Sequence, residues 1–354
     1  MVTMKNITYT LLAVLSAVVF ASCEKVSPIG VLVSGTGVED RVKMSHQYYE
    51  EHKLGYKYLL VSHDYSFLVG ADSHLTTDDS RMAEMLELGL DNNDLFWAHL
   101  GDIADTKAEY YITLENVINR YKKMWAEKHY EKVFVGDEND MNQKDDDDYY
   151  FYSDGEKLIP FDALPFPFYP VVGNHDITHN GWALWSNIFH SSFYQIPILV
   201  ITDIDKGEFV LDRLIFLDSA SGTLGRKQVE LIEEGVLDAQ EMEKEYGVKT
   251  RNTFVFSHTN IFRPRSVEFA STFPREEMFF LLDKFAQWNA TIVFLGHVHK
   301  WDQQTVNGIE YLTLDSMCEA NNPEPGDYLV RVHVGLNGGV TWEHVHMNTH
   351  QTNW

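Results

Sequence analysis

Val171-Val172-Gly173-Asn174-His175-Asp176 decides how this chain reads: an apolar run stops at a glycine and passes into an amide, an imidazole and a carboxylate. A short apolar run closed by glycine reads as a buried strand entering a tight turn, and open α/β sheets hold ligands just beyond such strand ends. The same punctuation recurs four times. Ser66 to Ala71 leads into Asp72-Ser73-His74, and Leu95 to Leu100 into Gly101-Asp102-Ile103-Ala104-Asp105. Phe254 to Phe256 leads into Ser257-His258, and Ile292 to Leu295 into Gly296-His297-Val298-His299. Residues two apart on an extended chain face the same side, so Asp72 with His74, and His297 with His299, each present two ligands to one point. Carboxylate, imidazole and amide together suit a borderline divalent ion such as Mn, Fe, Zn or Co, whereas calcium takes oxygen only.

In chain order the blocks read D-x-H, G-D-x-x-D, G-N-H-D, a lone His and G-H-x-H. This ordered set resembles the calcineurin-like metallophosphoesterase superfamily, across Asp72 to His299. The resemblance implies an α/β fold, a four-layer α/β/β/α sandwich of two packed mixed sheets, and phosphoester hydrolysis at two divalent metal ions. Carried over residue by residue, it puts Asp72, His74 and His299 on one ion and Asn174, His258 and His297 on the other, with Asp102 bridging. His175 then serves the leaving group as general acid or stabiliser, with Asp176 orienting its ring and Asp105 supporting the ligands from behind. Paired ions can hold the attacking and phosphoryl oxygens in line and lower the pKa of bound water to about 7, so a bridging hydroxide attacks phosphorus and no protein nucleophile is needed. The position of Asp105 lacks the tyrosine of the purple acid phosphatases, which makes that branch a poor match.

The hydrophobic content of 44%, with 13% aromatics, is enough for a sizeable core. A formal net charge of −25 opposes non-specific binding to nucleic acid or anionic membrane surfaces. The expected substrate is therefore a small phosphorylated metabolite, a nucleotide or a sugar phosphate, and no nucleic acid. Two readings compete with it: a phosphodiesterase, and a surface lipoprotein that binds a phosphorylated ligand without turnover.

Lys5, the apolar run Leu11 to Phe20 and then Ala21-Ser22-Cys23 read as an export signal over residues 1–22. The run falls short of the roughly 20 apolar residues that a membrane-spanning helix needs. Small residues before a cysteine resemble the bacterial lipoprotein processing site, which would make Cys23 the lipidated first residue and membrane anchor. Phe20 stands where an aliphatic residue is usual, and simple secretion is the alternative. Cys23 and Cys318 are the only cysteines, so there is no disulfide framework.

Residues 23–55, polar and without a clear period, read as a tether to one domain over 56–348. Apolar residues at helical spacing within Asp79 to Leu90, Ala108 to Trp125 and Asn180 to His190, and after Pro274, alternate with strand-like runs. Ile198 to Thr202 and Phe209 to Leu217 flank a turn and predict a hairpin. Between the second and third blocks, an insertion over 137–158 places Asp145 to Asp148 directly before Tyr149, Tyr150, Phe151 and Tyr152. It reads as a solvated segment that can rim the site and stack on a sugar or base. Arg263 and Arg265, just past the lone histidine, are candidates to clamp a substrate phosphate.

Overall fold

The computed structural model describes residues 36–53, 57–135, 150–262, 273–318 and 322–349. Residues 1–22, Cys23, Asp137 to Tyr149, Arg263 and Arg265 lie outside them. The described chain begins with α1 (Val38–His52), β1 (Leu59–Val61) and β2 (Tyr65–Gly70), then α2 (Ser80–Asn92), β3 (Trp97–His99) and α3 (Ala108–His129). A small sheet of β4 (Glu131–Phe134), β5 (Tyr150–Ser153) and β6 (Leu158–Pro160) precedes β7 (Phe168–Pro170), α4 (Asn174–Ile177) and α5 (Trp182–Phe189). The predicted hairpin is β8 (Tyr194–Asp203) with β9 (Glu208–Leu217), followed by α6 (Gly225–Glu233), α7 (Ala239–Tyr246) and β10 (Thr250–Ser257). After α8 (Arg275–Gln287) come β11 (Ile292–Leu295), β12 (Asp302–Val306), β13 (Ile309–Thr313), β14 (Gly326–Val334) and β15 (Val340–Met347).

Two mixed sheets carry the fold. One runs β1-β8-β9-β10-β11-β13-β12 and the other β15-β14-β2-β3-β7. Strand alternation decides the layers, because successive side chains leave a sheet on opposite faces. Phe67, Val69, Phe216, Phe256 and Phe294 point between the sheets, where Phe256 stacks on both Phe216 and Phe294. Leu68 and Trp97, one position out of phase, meet Met82, Met85 and Leu114 of α2 and α3. On the far side Val255, Val293 and Leu295 meet Val42 of α1, Leu231 of α6 and Leu281 of α8. The result is the expected four-layer α/β/β/α sandwich.

Two expectations are corrected. The stretch read as a tether contains the 15-residue helix α1. Its inward face mixes Val42 and Tyr49 with Arg41 and Ser45, so no apolar period marks it; polar pairing docks it instead. The Arg41 guanidinium donates to both carboxylate oxygens of Asp218, at 2.9 and 2.8 Å, with neither side chain exposed. The second correction concerns the aromatic insertion. Tyr150 to Ser153 form the middle strand of the small sheet, and Tyr152 is buried against Ala126 and Leu164. Ala126 lies about 27 Å along α3 from Ala108, at a rise of about 1.5 Å per residue, and Ala108 begins just past Asp105. Tyr150 to Tyr152 therefore pack at the end of α3 remote from the chemistry and do not rim the site.

Candidate metal centre

β2, β3 and β7 run parallel in one sheet, as do β10 and β11 in the other, and the loops leaving their carboxyl ends meet. Backbone bonds tie the loops together: the N–H groups of Asp72, His74 and Leu75 donate to Gly101, Asp102 and Ile103 oxygens at 3.1, 2.9 and 2.8 Å. Gly296 N–H donates to His258 O at 2.9 Å. Gly173 must be glycine because a Cβ there would sit 2.1 Å from the Asp102 nitrogen. Five of the predicted ligands hold left-handed backbone: Asp72 (φ 52°), His74 (41°), Asp102 (50°), His297 (71°) and His299 (54°). Such conformations cost roughly 1–3 kcal/mol each and persist where surrounding structure over-determines them. The inter-loop ladder supplies that determination and turns each side chain toward the common centre.

The seven predicted ligands come together. Asp72, His74, Asp102 and His299 offer ligand atoms within 4.8 Å of one another, and so do Asp102, His258 and His297. Asp102 belongs to both groups, as the bridging assignment requires. Its Oδ2 lies 3.8 Å from His74 Nε2 on one side and 3.5 Å from His258 Nε2 on the other, while Oδ1 accepts the His175 N–H at 2.7 Å. Asn174 Oδ1 is 2.8 Å from His258 Nε2, and His299 Nε2 is 3.2 Å from Asp72 Oδ1.

The donor chemistry fits metal ions. His258 Nδ1 faces the Leu100 carbonyl at 2.8 Å, an acceptor only, so Nδ1 carries a proton and Nε2 is turned into the site. That nitrogen meets the oxygens of Asn174 and Asp102. His74 behaves alike, with Nδ1 at 3.2 Å from Asp105 and Nε2 at 3.3 Å from His299 Nε2 and 3.8 Å from Asp102. Imidazole nitrogens and carboxylate oxygens thus converge on common centres, with the rings of His258 and His74 each held from behind at Nδ1, which is the arrangement of a metal-ligand set.

Charge follows the geometry. Burial alone would raise the Asp72 carboxyl, but the imidazoles of His299, His258 and His74 outweigh it and hold it below the usual carboxylate range. Burial lowers His299, yet Asp72 lifts it to about 9; burial and His258 push His297 down to about 4. Asp176 is raised to about 7 by burial and by Asp102. It accepts the N–H groups of Gly173, Ile103 and Ala104 and the Tyr111 hydroxyl, at 2.8, 3.1, 3.3 and 3.3 Å. These donors make it a brace between the second and third loops.

Asp176 therefore does not orient the His175 ring, as the sequence reading expected. Asp105 does, its Oδ1 lying 3.0 Å from His175 Nδ1 as well as 3.2 Å from His74 Nδ1. The adjacent Asp176 is turned away because α4 starts at Asn174 and carries its third residue back onto the Gly173 N–H. The sequence signal for Asp105 was the G-D-x-x-D spacing, which singles out two carboxylates without saying which imidazole the second one meets. Tyr111 and Thr106, whose hydroxyl donates to His175 O at 2.6 Å, carried no signal.

Fold and site together define an α/β/β/α sandwich with a shared-carboxylate His/Asp cluster at its strand ends. Family models and curated sequences give no match to this chain. Among solved structures it is similar to GAP50, the anchor in the inner membrane complex of Plasmodium, with 12% identity, 82% of this chain and 90% of that one covered, and a TM-score of 0.48. It is similar also to a dimetal phosphatase from Danio rerio, at 11% identity over 81% and 99% of the two chains and a TM-score of 0.42. A putative 5'-nucleotidase from Staphylococcus aureus matches at 10% identity, 82% and 55% coverage and a TM-score of 0.41. Likenesses this distant say nothing about activity, which is argued from the site alone.

Proposed function

We propose that this chain is a phosphoester hydrolase that works with two divalent metal ions, held by Asp72, His74 and His299 and by Asn174, His258 and His297, with Asp102 between them. The supporting observation is the pair of ligand groups that share Asp102, with imidazole nitrogens converging on their centres. Two divalent ions bound there supply positive charge for a phosphate dianion and an activated water for attack. The chain's own residues do the rest. Asp105 holds one proton of His175 at Nδ1, so that the imidazolium form presents its second proton at Nε2 and passes that one to the departing alkoxide, leaving a neutral ring. Thr106, bonded to the carbonyl of His175, fixes the backbone that carries it.

The net charge of −25 favours a small phosphorylated substrate over a polyanion. Export over residues 1–22 and anchoring through Cys23 complete the reading, with a Cys23→Ser variant expected to leave the mature protein unlipidated by mass spectrometry. Among the described residues no helix is long and apolar enough to cross a membrane. The deciding experiment is hydrolysis of a panel of phosphomonoesters and diesters by protein reconstituted with Mn, Fe, Zn or Co. Two bound equivalents of metal without turnover of any ester would refute catalysis and favour ligand binding.

A further inference from the structure

His99 closes β3, one residue short of the G-D-x-x-D block, and belongs to none of the ligand patterns. It is fully buried, and its Nδ1 accepts the N–H of Gly101 at 3.2 Å. Across the same peptide group, Leu100 O accepts the Nδ1–H of His258 at 2.8 Å. The Leu100–Gly101 peptide is thus gripped at its N–H by one imidazole and at its carbonyl by another, at opposite edges of one plane. The next two residues along are left-handed, Gly101 at φ 91° and Asp102 at φ 50°. Gly101 O in turn accepts the Asp72 N–H at 3.1 Å.

We propose that His99 is a positioning residue for the metal centre: by anchoring the Leu100–Gly101 peptide it fixes the tautomer of His258 and the placement of Asp102. The inference rests on the metal-hydrolase reading in that His258 and Asp102 are taken as ligands. The N–H and C=O of a trans peptide point in opposite directions, so an acceptor that fixes one fixes the other. If the peptide rotated away from His99, Leu100 O would leave His258 and the His258 proton would no longer be confined to Nδ1. A proton on Nε2 would then occupy the lone pair that a metal ion needs. His99 suits the task because it stays neutral; burial pushes it down to about 3, and its Nδ1 remains an acceptor throughout the physiological range. An apolar side chain of similar size would fill the space but leave the Gly101 N–H without an acceptor; histidine supplies that acceptor while its Nε2 has no hydrogen-bond partner among the described residues.

Substitutions that separate shape from hydrogen bonding test the idea. His99→Leu keeps bulk and removes the acceptor; His99→Asn loses bulk and keeps an acceptor oxygen at the branch point where histidine carries Nδ1. In Mn titrations followed by calorimetry, His99→Leu is expected to weaken one of two sites by about 10- to 100-fold, and His99→Asn to stay within about threefold of the parent chain. Unimpaired binding by His99→Leu, or equal losses in folded Leu and Asn variants, would overturn the proposal. Should either variant fail to fold, imidazole 15N shifts of the unsubstituted chain decide. They should show an unprotonated Nδ1 on His99 and a protonated Nδ1 on His258, and the reverse on either ring would overturn it. A parent chain that binds no Mn, with these tautomers intact, would refute the metal reading and leave the peptide anchor standing.

Discussion

Asp105 touches two imidazoles with one oxygen, joining a predicted metal ligand, His74, to the predicted proton donor, His175. His175, Asp102 and Asp105 should consequently fail in different ways. His175→Ala is expected to keep both metals and lose about 10²- to 10⁴-fold in kcat, with the larger loss on alkyl esters, whose alkoxide needs a proton, than on nitrophenyl esters. Equal losses on both would remove the acid role. Asp102→Ala should release more metal than His74→Ala by elemental analysis, because only Asp102 lies in both ligand groups. Asp105→Asn should lower metal affinity and kcat together, by roughly 10- to 100-fold for the metal, since the ligand and the acid lose the same support. A variant that lost only turnover would cut His74 out of that argument.

At the level of elements, the centre depends on loops pressed backbone to backbone and on a helix held by buried charge. Gly173→Ala is expected to abolish metal binding, because the new Cβ would overlap the Asp102 nitrogen at 2.1 Å. Full metal content in that variant, again by elemental analysis, would mean that the loops can part without cost. Removing Arg41 leaves Asp218 buried with an uncompensated charge, so Arg41→Met should destabilise the fold by about 3–5 kcal/mol in denaturant titrations. Asp218 follows β9 directly, so α1 docks against the seven-stranded sheet.

For the whole molecule, two sheets bring five strand ends to one point, and the ions would bind only when both sheets are in place. Metal loading should therefore stabilise the fold, by about 2.7 kcal/mol when free metal is 100-fold above its dissociation constant. A chelator should lower the melting temperature and added Mn restore it; an unchanged transition would mean that the cluster holds no ion in solution. The chain as a whole carries a net charge of −25, and long duplex DNA should be neither bound nor cut at physiological salt.

The sequence by itself determined the strand ends and the candidate site residues. An apolar run ending in a polar cluster is a local pattern, and the resemblance that five in order carry implied Asp72, His74, Asp102, Asn174, His258, His297 and His299 as ligands without any knowledge of packing. Helical spacing likewise marked α2 and α3, each of which buries one face, and an unbroken apolar run marked β11, which is buried throughout. The tertiary structure alone decided the rest. Asp105 rather than Asp176 meets His175, although Asp176 is the sequence neighbour, because α4 turns one carboxylate back onto its own amino end while β3 and β7 bring the other loop across. Helix α1 was hidden because Arg41 buries its charge only by finding Asp218, 177 residues away. Periodicity reports what a segment shows to a generic apolar core, whereas polar pairings depend on which distant group arrives opposite, and that is settled only when the two sheets close.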